Sequence, residues 1–102
     1  MLNSFNVVGY TFVLGSYACP EQYDVYWKDT QVAYVRLRHG MLRVEVPDVC
    51  GETILYTEDV EGDGCFTMTE RPRQLRRIAE YIENYYINNP HNTLAQYELN
   101  FM

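Results

Sequence analysis

Three groups of residues in this chain have the types and spacing to do chemistry. The first is the run Tyr34-Val35-Arg36-Leu37-Arg38-His39-Gly40-Met41-Leu42-Arg43-Val44-Glu45. Arginine carries a planar fork of donors that grips carboxylate or phosphate with two bonds at once. His39-Gly40 reads as a two-residue hairpin turn, in which Gly40 takes a positive φ freely and His39 must tolerate one. Such a turn sets Arg38 opposite Met41, Leu37 opposite Leu42, Arg36 opposite Arg43, Val35 opposite Val44 and Tyr34 opposite Glu45. One face is then apolar (Ala33, Val35, Leu37, Leu42, Val44, Val46), and the other carries Tyr34, Arg36, Arg38, Arg43 and Glu45. A slip of one residue would drive arginines into the core, so the register is firmly set. Arg36 against Arg43 is a like-charge pair and destabilising by itself. Internal acids such as Glu45 and Asp24 offset it, or an external anion does: an acidic partner surface or a phosphate backbone.

The second group is the acidic run from Asp59 to Glu70. It places carboxylates at positions one (Asp59), three (Glu61), five (Asp63) and twelve (Glu70), with Gly62 between, which is the spacing of a calcium loop. Glu at position three is unusual there, the preceding segment reads as a strand, and Pro72 crowds the exit. The competing reading is an acidic turn leading into a helix N-terminus, which favours nearby carboxylates. Glu58, Asp59, Glu61 and Asp63 are also contact candidates for a partner with a basic surface. The third group is the histidines. His39 is committed to the turn and His91 follows Pro90, and neither sits in a motif that pairs it with a nucleophile. A binding protein is therefore expected rather than an enzyme, with calcium as the single candidate cofactor.

The positions of these groups depend on one domain, residues 1–102, of a length ordinary for a single core. Apolar residues make up 47% and charged residues 22%, a balance that folds. The formal charge is −6, which argues against a surface that attracts nucleic acid over its whole extent. Seven of the eight basic residues are arginine, and ten residues are tyrosine, a side chain suited to half-buried sheet positions and to contact surfaces. Cys19, Cys50 and Cys65 are odd in number and form no C-x-x-C pair, so three free thiols and a reducing compartment are expected. Neither a leader nor a membrane-spanning run is read from the sequence, and the expected location is the cytoplasm.

The expected fold class is α+β: an antiparallel sheet of about five or six strands with one main amphipathic helix packed on one face. Phe5 to Leu14 reads as one buried strand, Tyr23 to Trp27 as a second with a turn at Lys28-Asp29-Thr30, then the arginine hairpin, then Glu52 to Glu58. Leu75, Ile78, Ala79, Ile82 and one of Tyr85 or Tyr86 recur at helical spacing, in a helix that starts between Thr67 and Pro72 and ends near Asn88. Thr67 and Glu70 have capping-box spacing, against which Pro72, a first-turn residue, stands in conflict. Leu94 to Phe101 alternates apolar and polar, predicting a last strand whose free edge offers a way to form a homodimer.

The segments Tyr34-x-Arg36-Leu37-Arg38-His39-Gly40 and Gly62-Asp63-Gly64-x-Phe66, followed by Glu70-Arg71, resemble small proteins of phages and prophages of Gram-positive bacteria. The resemblance covers the middle half of the chain and brings no site residues with it. It implies a mobile-element setting, in which small acidic proteins inhibit nucleic-acid-targeting defence effectors; anti-CRISPR proteins acting on type II nucleases are the leading example. The expected function is such a protein inhibitor, its acidic residues facing a positively charged channel. The alternative is a small nucleic-acid-binding protein that uses the Arg/Tyr hairpin face.

Overall fold

The computed structural model describes residues 4–15 and 19–89. Six strands follow one another: β1 (Ser4–Val7), β2 (Tyr10–Leu14), β3 (Glu21–Trp27), β4 (Thr30–Arg38), β5 (Met41–Val46) and β6 (Glu52–Thr57); one helix, α1 (Arg71–Asn88), comes last. They form a single antiparallel sheet in the order β1-β2-β3-β4-β5-β6, each strand paired with its neighbour in sequence. The class is α+β, as the periodicities predict.

The β4–β5 register agrees pair by pair with the expected one, from Arg38 opposite Met41 to Tyr34 opposite Glu45. His39 and Gly40 have φ of 54° and 73°, the left-handed pair that a type I′ turn needs. Ala33, Val35, Leu37, Leu42, Val44 and Val46 are all buried, joined from the other strands by Tyr10, Phe12, Tyr23, Val25 and Leu55. Against this face α1 lays Leu75, Ile78, Ala79, Ile82 and Tyr86, so Tyr86 rather than Tyr85 completes the apolar stripe. The Tyr86 hydroxyl donates to the Val32 carbonyl at 2.7 Å, fixing the far end of the helix to β4.

Two expectations need correction. Phe5 to Leu14 is not one strand but two, folded back at Val8 and Gly9. Gly9 has φ +92°, and a Cβ there would lie 2.7 Å from the Trp27 ring, so glycine is required both by the turn and by the ring packed on it. Nor are all three cysteines free: Cys19 and Cys65 form a disulfide, Cα atoms 5.4 Å apart, and Cys50 alone is free and exposed. The sheet brings the start of β3 beside the turn before α1, where the Glu21 amide donates to the Gly64 carbonyl, and the two cysteines meet as a result. The inference from three thiols to a reducing compartment thus loses its premise. Among the described residues no helix is long and apolar enough to cross a membrane. The strand expected from Leu94 to Phe101 lies outside the described residues, as does His91.

Candidate functional site

Burying one sheet face under α1 leaves the opposite face of β4, β5 and β6 uncovered among the described residues. Pairing of Arg36 with Arg43 and of Arg43 with Tyr56 sets these three side chains in one row across three strands. Arg38 and Met41 form the next row toward the turn. Together Arg36, Arg38, Met41, Arg43 and Tyr56 line a shallow cavity of about 270 Å³.

The offset for the like-charge pair is incomplete. Arg43 reaches the Glu45 carboxylate at 3.7 Å, a long ion pair, and its guanidinium lies 4.9 Å from the centre of the Tyr56 ring. A cation over an aromatic face is stabilised without losing its charge. Glu45 is itself buried and also accepts from the Cys50 amide at 3.1 Å. Asp24, the other acid expected to help, accepts instead from the Gln31 amide at 3.1 Å. Among the described residues Arg36 and Arg38 have no ion-pair partner, and the Arg36 Nε is buried with no acceptor. A buried donor without an acceptor is costly and uncommon in folded proteins. Tyr34 donates its hydroxyl to the Gln22 side chain. Burial raises its pKa, Arg36 opposes that, and the Asp24 and Glu45 carboxylates add to the rise, so the phenol stays neutral and a donor.

The acidic turn is organised around Glu70. Glu70 is fully buried and accepts from the amides of Gly62 at 2.7 Å, Glu61 at 2.8 Å and Thr67 at 2.9 Å, and from the Gln74 side chain at 3.3 Å. Its two oxygens are spent on the backbone of the turn. Burial alone would raise its pKa, but these donors prevail and hold the carboxyl below its usual range. The Glu70 amide in turn donates to the Thr67 hydroxyl at 3.2 Å, so the Thr67–Glu70 box does form, on a turn just ahead of α1. This removes the conflict with Pro72, which falls in the first turn of the helix proper. Asp59 pairs with Arg77 at 3.5 Å and Glu61 with Arg73 at 3.2 Å. Glu58 and Asp63 have no ion pair among the described residues, where no three of the His, Cys, Asp and Glu side chains gather as a metal site. Of the set Asp59, Glu61, Asp63 and Glu70, the first two pair with arginines of α1 and Glu70 is held by backbone amides.

No protein-family model matches the chain, and no curated protein or solved structure matches it either. The site has to be read from its own chemistry.

One structural centre escapes sequence reading. Glu21 is buried and takes a two-pronged contact from Arg71, Nε to Oε2 at 2.8 Å and a terminal nitrogen to Oε1 at 3.0 Å. It also accepts from the Tyr23 hydroxyl and from the Phe66 amide at 2.9 Å. Burial would raise the Glu21 pKa, but Arg71, Tyr23 and Phe66 together bring it below the ordinary carboxylate value. Arg71 joins Glu21 of β3 to the start of α1 and also donates to the Phe66 carbonyl, so this ion pair acts as a brace. Glu21 and Arg71 lie 50 positions apart, and no local spacing announces the pair. Tyr56 was missed too: its only signal was its position in a short strand beside the arginine hairpin.

Proposed function

We propose that this chain is a non-catalytic binding protein whose working surface is the open face of β4, β5 and β6, and that its partner there is anionic. The supporting observation is the under-compensated arginine group: three guanidiniums on adjacent strands, one long ion pair, and one buried Nε with no acceptor. An anion between Arg36 and Arg43 would turn their repulsion into shared attraction. The acidic turn supports a basic partner less well, because Arg73 and Arg77 already offset Glu61 and Asp59. The defence-inhibitor role implied by the phage resemblance is compatible with the same face where the target presents an acidic surface or bound nucleic acid.

The test uses the protein's own charge against it. A chain of pI ≈ 4.7 has no general reason to bind a phosphate-bearing resin at neutral pH. Retention on phosphocellulose at low salt, lost in Arg36→Ala/Arg43→Ala but kept in Arg73→Ala/Arg77→Ala, is the expected result. Equal retention of both variants, or none by the wild type, overturns the reading. A pull-down from bacterial lysate, with and without nuclease, then identifies the natural partner.

A further inference from the structure

Resting on the reading of this face as anion-binding, we infer that its ligand is single-stranded nucleic acid, with a backbone phosphate between Arg36 and Arg43 and a base stacked on Tyr56. Paired strands are spaced about 4.8 Å apart, so the row from Arg36 through Arg43 to Tyr56 spans roughly 10 Å. It offers charge at one end and an aromatic ring at the other. The cavity lined by Arg36, Arg38 and Arg43 has room for a phosphate group, and Arg36 has no ion-pair partner among the described residues to compete for it. Tyr56 remains 57% exposed although Arg43 lies over its ring, which leaves ring surface for a second planar group. An acidic peptide would use the arginines and gain little from the ring, whereas a nucleotide uses both.

Single strands fit this face better than a duplex. Duplex readers insert a helix or a strand ribbon into a groove. Here the arginines lie on the open surface of a sheet, and the helix is packed on the other side. A net charge of −6 also opposes the dense phosphate field of a duplex more than that of a short flexible strand. Stacking on tyrosine tolerates any base, so little sequence preference is expected.

Fluorescence anisotropy at low salt tests this with four probes: a short oligothymidylate, an abasic strand of the same length, a duplex and polyglutamate. The oligothymidylate should bind best, with a log–log salt slope of about −0.7 for the one phosphate shared by Arg36 and Arg43, or about −1.4 if Arg38 takes a second. Tyr56→Ala should weaken it about tenfold, and Tyr56→Phe should keep it within about twofold, as stacking requires. The abasic strand tests the same contact with the protein unchanged. Should that strand, the duplex or polyglutamate bind as tightly as oligothymidylate, or Tyr56→Ala bind like wild type, the inference falls. If such binding still requires Arg36 and Arg43, the anionic reading survives; if no probe binds, both fall.

Discussion

Replacing Glu70 tests whether its carboxylate serves the backbone rather than a cation. It holds three amides, those of Glu61, Gly62 and Thr67, at 2.7–2.9 Å, and the Gln74 side chain at 3.3 Å. Each amide left without an acceptor costs on the order of 1–3 kcal/mol when buried, and less where water reaches the turn. Glu61 is exposed, so its amide can be rehydrated; Glu70→Ala should then destabilise the fold by about 3 kcal/mol. Glu70→Gln keeps one acceptor oxygen but turns a donor toward the amides, and about 2 kcal/mol is expected. Urea unfolding followed by circular dichroism at neutral pH reads both values. The pH dependence has a definite sign. The folded-state pKa of Glu70 lies below the ordinary 4.5, so its contribution is complete above that pH and lost as pH falls through the depressed value. Glu21 is depressed in the same direction, so Glu70→Gln should flatten the acid limb of the stability curve without abolishing it. A Glu70→Ala variant within 0.5 kcal/mol of wild type (roughly the scatter of neutral surface changes), or an unchanged acid limb, refutes this account.

Excess calcium should leave the melting temperature where a chelator leaves it; an increase would show that the carboxylates gather after all. Arg36→Thr should raise stability by about 0.5 kcal/mol at low salt, by removing a like-charge cross-strand pair, while abolishing retention on the phosphate resin. Loss of both would mean that Arg36 is structural. His39→Asn should be neutral or slightly stabilising in thermal melts, since asparagine accepts the 54° φ more readily. Reducing Cys19–Cys65 opens a closure of 46 residues and should cost about 4 kcal/mol by chain entropy, read as a shift in the urea midpoint.

Legibility in the sequence followed the range of the interactions. The arginine hairpin was readable residue by residue because a period of two and a two-residue turn leave one register that keeps the arginines out of the core. The stripe on α1 was readable for the same local reason. The β1–β2 turn was hidden because Val8 is β-branched yet takes φ 43°, so a run rich in Val, Tyr and Phe concealed a reversal that only Gly9 hinted at. The Cys19–Cys65 pair and the Glu21–Arg71 brace join positions 46 and 50 apart, set by how the sheet folds back on the pre-helix turn. At the candidate site the arginines were legible, but their shortage of partners was not: it depended on Asp24 being bound to Gln31 instead.

Each strand pairs only with its neighbour in sequence, and this order also bears on how the molecule assembles itself. Every hairpin closes a short loop, so the sheet has a low contact order and little entropy to overcome before it forms. The long-range links run from the sheet to α1 (Glu21 to Arg71, Val32 to Tyr86) and to the turn before it (Cys19–Cys65, Glu21 to Gly64). The topology predicts that the meander forms ahead of the docking of α1 on the covered face. Partial opening should begin there as well, with α1 amides exchanging before those of β4 and β5. On that expectation the arginine row, set in β4 and β5, would keep its geometry while the helix opens.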